Sequence, residues 1–170
     1  MVFYMRNTYN DYIKTEQPFL TLGVIMLDQQ TLIIVRGLSG SGKSTFSLSL
    51  KKKADLLHFE ADQFFETNEG YKFDFSKLSL AHEWCQSQTA KALMDGRSVV
   101  VSNTFVQCWT IEPYVNLAKQ FGVPVIIIEM TTQFKNVHGL TDQDIAKQAE
   151  KWEQVHTKFE SVPVFKSDQL

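Results

Sequence analysis

The chain has 170 residues, which is enough for one α/β domain with a proper hydrophobic core. Its formal net charge of −2 provides no global field that would draw it to nucleic acid or to an anionic membrane. Two cysteines exclude a disulfide scaffold and match no zinc pattern, and every apolar run is too short for a membrane span.

Residues 1–25 differ from the rest of the chain. They show neither a helical nor an alternating period, and they lack the basic-then-apolar layout of a signal peptide. One interpretation is a dispensable extension, with Met26 as an alternative start and residues 26–170 as the functional domain. The other is an ordered helix or strand that covers the edge of a sheet.

A glycine-rich motif follows the first predicted strand, a β-branched run at residues 32–36. Residues 37–45 read Gly-Leu-Ser-Gly-Ser-Gly-Lys-Ser-Thr and match G-x-x-x-x-G-K-[ST], with a predicted helix directly after them. In such a loop, successive backbone N–H groups point inward, and the helix N-terminus adds its own free N–H groups. The motif therefore predicts a binding site for a nucleoside triphosphate.

The whole motif forms the candidate nucleotide site. Lys43 can reach the β- and γ-phosphates, and Ser44 can offer its hydroxyl to Mg²⁺. We therefore expect ATP together with Mg²⁺ as the bound species. The candidate binding residues are Gly37, Leu38, Ser39, Gly40, Ser41, Gly42, Lys43, Ser44 and Thr45.

Strands and helices alternate after this loop. Strands are predicted at 56–60, 98–102 and 123–129, and helices at about 43–53, 76–95 and 110–121. A polar and aromatic connection at 62–74 contains a turn at 68–70. The alternation predicts an α/β protein with the P-loop NTPase fold of the small-kinase type, in which helices flank a short parallel sheet of four to five strands.

The last predicted helix begins at Thr141, which stands three residues before Asp144 in a near capping box. An apolar stripe predicts that this helix continues to about residue 159. The stripe consists of Ile145, Ala149, Trp152, Val155 and Phe159.

Other classes of P-loop protein fit less well. A GTPase would need an Asn-Lys-x-Asp segment, which the chain lacks. A motor or AAA-type ATPase would need a longer chain and a strand that ends in paired acids, whereas Glu129 stands alone after its apolar run. We interpret Glu129 as an ordinary polar residue at a strand end, and a small kinase as the class that remains.

Five motifs in order resemble one family. They are residues 36–45, Ala-Asp-Gln-Phe-Phe at 61–65, Ala-His-Glu-Trp-Cys-Gln at 81–86, Asn-Thr at 103–104 and Asn-Val-His-Gly-Leu at 136–140. The set resembles the polynucleotide-kinase-like ATP-binding proteins, which include phage 5′-hydroxyl polynucleotide kinases and animal NEDD-binding-protein-2-like proteins. The resemblance covers about residues 32–159. It implies an ATP-dependent phosphotransferase whose acceptor is a hydroxyl, such as the 5′-OH of a polynucleotide or nucleoside.

The resemblance also implies roles for single residues. Asp62 matches the acid that accepts the proton of the attacking hydroxyl, which is sound chemistry for a carboxylate; the alternative is that it caps an element or pairs with a lysine. Relatives carry an acid at the end of strand three, where this chain has Ser102 and Asn103. Magnesium would then be held by Ser44, the phosphates and waters, with Asp62 contributing through a water.

The lid departs from the family pattern. Relatives have a longer, arginine-rich segment, whereas here Lys135 stands where an arginine is expected and becomes the third candidate catalytic residue, after Lys43 and Asp62. A lysine lacks the bidentate geometry with which arginine clamps a transferring phosphoryl group. The chain's arginines are Arg6, Arg36 and Arg97. This pattern predicts a slow catalyst, or one that receives an arginine from another chain.

The acceptor remains open. Acids around the connection exceed the two lysines there, Lys72 and Lys77, so a small hydroxyl compound or a single nucleotide fits as well as a nucleic-acid 5′ end. The alternatives are a metabolite or nucleotide-sugar kinase of the zeta-toxin-like kind, or an ATP-sensing module with negligible transfer. Unpaired thiols and phosphate-loop chemistry favour the cytoplasm. The acids around the connection at 62–74 are Glu60, Asp62, Glu66, Glu69 and Asp74.

Overall fold

The computed structural model describes residues 29–134 and 141–170. Five parallel strands form one sheet in the order β2-β5-β1-β6-β7. A separate antiparallel hairpin pairs β3 with β4. The α/β prediction with four to five parallel strands is therefore confirmed. The bounds are β1 (Leu32–Arg36), β2 (Leu57–Phe59), β3 (Glu66–Thr67), β4 (Gly70–Tyr71), β5 (Val99–Ser102), β6 (Val125–Glu129) and β7 (Val164–Lys166).

In the part of the chain that the structure describes, four α-helices connect these strands, namely α1 (Lys43–Ala54), α2 (Leu78–Met94), α3 (Cys108–Phe121) and α4 (Asp142–Glu150). Short 3₁₀ helices lie at Ala61–Phe65, Phe75–Lys77, Val155–Thr157 and Ser167–Gln169. Within 29–134 and 141–170, no helix combines the length and apolar character that crossing a bilayer requires.

The central strand β1 is buried along its whole length, because β5 and β6 pair with its two edges and helices cover its two faces. Its register places Val35 beside Ser102 of β5 and beside Ile128 of β6. The carboxyl ends of these three strands therefore meet at one edge of the sheet. Ligands of open α/β sheets bind at this edge.

The helices pack on both faces of the sheet. One face carries the larger core, to which α2 contributes Ala81 and Cys85 and α3 contributes Ile111 and Tyr114. The other face packs against α1 through Leu50, with Phe46 partly buried beside it. The buried face of α3 consists of Cys108, Ile111, Tyr114, Val115 and Ala118, and Phe121 is half-buried.

The prediction that the last helix reaches residue 159 is wrong, because α4 ends at Glu150. The chain leaves the helix so that the Trp152 ring lies 3.7 Å from the guanidinium carbon of Arg36. The backbone N–H of Glu153 then donates to the Val106 carbonyl at 3.0 Å. Val155 and Phe159 are buried as expected, but through a 3₁₀ turn and the segment after it.

The connection at 62–74 is more structured than the sequence pattern indicates. It contains the 3₁₀ helix Ala61–Phe65 and the β3–β4 hairpin, whose turn includes Gly70 at a φ of 107°. The turn predicted at 68–70 is confirmed. The extension at 1–25, the start at Met26, Lys135 and the motif at 136–140 lie outside the described residues.

Candidate functional site

The P-loop, residues 37–45, joins the end of β1 to the start of α1 at the carboxyl edge of the sheet. Gly40 and Gly42 have φ angles of 83° and 84°, a left-handed conformation that favours glycine. The N–H of Ser41 donates to the Leu38 carbonyl at 3.1 Å and closes the turn. Lys43, Ser44 and Thr45 then form the first turn of α1. The loop thus ends at the N-terminus of a helix, where free backbone N–H groups are suited to an anion.

Lys43 is folded back over the loop. Its Nζ donates a hydrogen bond to the Leu38 carbonyl at 2.9 Å. Burial lowers the pKa of Lys43 to about 8, although the negative charges of Glu60 and Asp62 oppose this shift. The loop therefore holds a partly desolvated ammonium group that phosphate oxygens would stabilise.

Asp62 lies in the first turn of the 3₁₀ helix that follows β2, and its side chain is exposed. Its charge opposes the lowering of the Lys43 pKa by burial. Burial raises the pKa of Tyr71, and the charge of Asp62 raises it further. On α2, burial lowers the pKa of His82 and the charge of Asp62 opposes this. Asp62 is thus an accessible carboxylate at the rim of the P-loop, where the acceptor is expected.

Glu60 is the site residue whose importance the sequence did not reveal, since it was grouped only with the acids near the acceptor. Its Oε1 accepts from Ser102 Oγ at 2.6 Å and lies 2.9 Å from His58 Nε2. Burial alone would raise the pKa of Glu60, but hydrogen bonds from His58, Ser102 and Ser44 hold it below its usual value. An ionised carboxylate therefore faces the start of α1.

Residues distant in sequence form hydrogen bonds to the outer side of the P-loop. Gln148 on α4 accepts from the Ser39 N–H and donates to Ser39 Oγ, both at 3.0 Å. Gln133 donates to the Ser39 carbonyl at 2.7 Å, and the Phe134 N–H donates to the Gly40 carbonyl at 2.9 Å. The irregular segment after β6 and helix α4 thus hold the outer side of the P-loop, which no sequence motif indicated.

The described arginines are engaged elsewhere. Arg36 is fully buried and donates to Glu129 at 3.2 Å and to the carbonyls of Val106 and Glu153. Glu129 is therefore a buried ion-pair partner, and the interpretation of it as an ordinary polar strand end is wrong. Arg97 pairs with the exposed Asp55. Neither guanidinium is available to clamp a phosphoryl group.

The residues present suit magnesium, which binds hard oxygen ligands and retains several waters. The exposed Ser44 hydroxyl lies beside the Glu60 carboxylate, and Asp62 stands at the rim. In the described ranges, no three or more His, Cys, Asp or Glu side chains are grouped to hold a metal alone. This arrangement fits an ion that arrives with nucleotide phosphates rather than one that a protein cage retains.

Comparison with known proteins agrees with this geometry. The AAA_33 family model, described as an AAA domain, matches residues 32–157. NEDD4-binding protein 2 of Homo sapiens is 31% identical over 150 residues, which cover 82% of this chain but 8% of that protein. The chain thus spans a small part of that relative's length. The family's description also shows that the lone Glu129 does not separate this chain from AAA domains.

Two solved structures share the fold. Kti12 of Chaetomium thermophilum in complex with ADP-AlF3 has a TM-score of 0.60 at 13% identity, over 81% of this chain and 92% of that one. A gluconokinase from Sinorhizobium meliloti 1021 has a TM-score of 0.55 at 16% identity, over 80% and 81%. At these identities the likeness concerns the fold alone. The family match over residues 32–157 shows that this chain belongs to the AAA_33 family of P-loop domains.

Proposed function

We propose that the chain is an ATP-dependent phosphotransferase that binds Mg-ATP at residues 37–45 and transfers the γ-phosphate to a hydroxyl. The observation that supports this most directly is the position of Lys43, whose ammonium group is folded over the P-loop and lies near enough to the exposed Asp62 for the carboxylate charge to act on it. One group is suited to phosphate oxygens and the other to the proton of an attacking hydroxyl.

The chain's own groups supply positioning and charge. The amides of the P-loop and the Lys43 ammonium bind the β- and γ-phosphates, which neutralises charge as the phosphoryl group moves. Asp62 orients the acceptor hydroxyl and accepts its proton. Magnesium, when bound, would neutralise the charge that develops on the phosphates. Ser44 would hold that ion, with Asp62 contributing through a water.

The charge of the rim bears on the acceptor. On the hairpin side, Lys72 pairs with Glu69 and Lys77 pairs with Asp74, so both lysines are neutralised. Glu66 adds a further negative charge there. Because a polyanion needs free cations along its path, we favour a nucleoside or short 5′-OH end over a long nucleic acid. The alternative within the same chemistry is a small metabolite or nucleotide sugar.

A weakly catalytic ATP-sensing module is the second candidate. It is favoured by the engagement of Arg36 and Arg97 in ion pairs remote from the phosphate cradle. Lys135, or an arginine from another chain, would have to complete the phosphoryl clamp. We place the protein in the cytoplasm, consistent with the two free and buried thiols of Cys85 and Cys108.

The test is transfer of labelled γ-phosphate to a panel of acceptors: 5′-OH DNA and RNA, nucleosides, and sugars including gluconate. We expect at least one acceptor to be labelled, and Asp62→Asn to lower that transfer by about 10²–10⁴-fold while ATP affinity is kept. Asp55→Asn is the matched control, because Asp55 is an exposed acid at the opposite end of α1. ATP binding without transfer to any acceptor, or full activity of Asp62→Asn, would reject the kinase proposal.

A further inference from the structure

Ser44, the P-loop serine that is expected to bind magnesium, has the Glu60 carboxylate as its neighbour. Strand β5 ends in Ser102 and Asn103, so it offers no carboxylate at the edge of the sheet. Glu60, at the end of the adjacent strand β2, projects its carboxylate to Ser102 Oγ at 2.6 Å. The side chain of Glu60, which follows β2, thus lies beside Ser102, the last residue of β5.

The register of the sheet produces this placement. Phe59 of β2 pairs with Val101 of β5, so the residues that follow, Glu60 and Ser102, lie side by side. The backbone of Glu60 is held as the N-cap of the next 3₁₀ helix by a capping box with Gln63. Hydrogen bonds therefore hold both the backbone and the carboxylate of Glu60.

The carboxylate also has polar neighbours besides Ser102. His58 Nε2 lies 2.9 Å from Oε1, and Ser44 lies on the side that faces the nucleotide. Its side chain is 16% exposed, so it is only partly desolvated and still reaches the P-loop. Because Ser102 pairs with Val35 of β1, just before the P-loop, Glu60 lies at the same edge of the sheet as that loop.

We infer that Glu60 is the acid that orients the magnesium ion of the bound nucleotide, and that it does so from the end of β2, beside a strand β5 that ends without a carboxylate. The inference rests on the proposed nucleotide site. Glu60 acts there either directly or through a metal-bound water, with Ser44 as its partner. Ser102 and His58 are positioning residues that hold the carboxylate toward Ser44.

The test measures the metal dependence of nucleotide binding, separately from transfer. ATP affinity is determined by calorimetry in EDTA and in Mg²⁺, and the ratio of the two is the metal enhancement. We expect Glu60→Gln to reduce this enhancement about 10–100-fold, the usual effect of losing a group that orients a metal site. ATP affinity in EDTA should not fall, because the substitution removes a negative charge near the phosphates.

A swap variant keeps the test decisive if Glu60→Gln destabilises the fold. In Glu60→Ala/Ser102→Asp the carboxylate moves to β5, where His58 Nε2, now 2.7 Å from Ser102 Oγ, can hold it. We expect this variant to recover most of the metal enhancement that Glu60→Ala loses. Glu66→Gln is the control for general electrostatics, since it removes an exposed acid on the hairpin.

The outcomes separate this inference from the proposed function. If the wild type binds no ATP in either condition, the nucleotide site itself is rejected. If Mg²⁺ enhances binding equally in the wild type and in Glu60→Gln, Glu60 is a structural residue only and the inference is overturned, whatever the acceptor screen shows. Loss of the enhancement in Glu66→Gln to the same extent would also overturn it.

Discussion

Lys43 is the residue whose physical state is most sensitive to the bound ligand. Burial lowers its pKa to about 8 against the opposing charges of Glu60 and Asp62. The free loop therefore holds an ammonium group that loses its proton not far above neutral pH. Phosphate oxygens favour the charged form, so a bound nucleotide raises this pKa again.

The pH dependence of nucleotide affinity follows from these two pKa values. Below about pH 8, Lys43 is charged in both free and bound states, and affinity should be flat. Above it the free protein must take up a proton on binding, so affinity should fall by up to about tenfold per pH unit. Calorimetry with ATP in EDTA, from about pH 7 to pH 9 in two buffers of different ionisation enthalpy, measures both the loss and the proton uptake.

The matched variant is Lys43→Met, which should bind more weakly and show no such pH dependence over the same range. A flat wild-type profile without proton uptake would contradict the lowered pKa of Lys43.

Glu60 and Asp62 show what sequence reveals at this scale. Asp62 is recognisable because it belongs to a local motif, Ala-Asp-Gln-Phe-Phe. Glu60 is not, because its role depends on the pairing of β2 with β5, which brings Ser102 from 42 residues away. A residue defined by a neighbouring strand cannot be identified until the strand order is known.

At the scale of elements, the P-loop combines local and distant constraints. The turn itself follows from its glycines and was predictable. Its outer side is held by Gln133 and Gln148, and its floor approaches Met130 at the end of β6. A Cβ at Gly37 would lie 2.9 Å from Met130 Cβ and 2.4 Å from Ser41 Oγ. The serine hydroxyl can rotate away, but the start of the methionine side chain cannot.

Gly37→Ala should therefore displace the loop from β6. We expect a loss of about 1–3 kcal/mol in the free energy of unfolding, typical of overpacking, together with weaker ATP binding. Thermal denaturation and calorimetry measure the two effects. Gly96→Ala is the control: Gly96 has a φ of 74° and open space around its Cβ position, so stability should fall by about 1 kcal/mol while ATP affinity is kept. Equal ATP affinity in Gly37→Ala and the wild type would show that the loop absorbs the added methyl group.

The whole molecule is less predictable than its elements. Apolar runs correctly indicated β1 and β6, which are almost wholly buried, and apolar periodicity correctly indicated α2 and α3, which bury a regular face. The same periodicity wrongly predicted that α4 continues beyond Glu150. A local pattern contains no information on the distant Arg36, which the Trp152 ring covers after the helix has ended. Long-range polar contacts decided that boundary.

Arg36 joins four parts of the fold. It extends from β1, pairs with Glu129 of β6, and donates to the carbonyls of Val106 and Glu153 under the Trp152 ring. The guanidinium and the carboxylate are both buried, so each compensates the charge of the other. A buried pair of this kind costs much more when one partner is removed than when both are replaced.

Glu129→Ala should consequently lower the free energy of unfolding by about 3–5 kcal/mol, or the melting temperature by roughly 6–20 °C for a domain of this size. The double variant Arg36→Met/Glu129→Leu should lose less, about 1–3 kcal/mol, because only the two carbonyls lose their donors. Urea and thermal denaturation measure both. ATP affinity of the folded double variant should stay within about twofold of the wild type, since the Arg36 guanidinium bonds to Glu129, Val106 and Glu153 rather than to the P-loop. A double variant less stable than Glu129→Ala would show instead that the guanidinium stabilises the fold without its carboxylate.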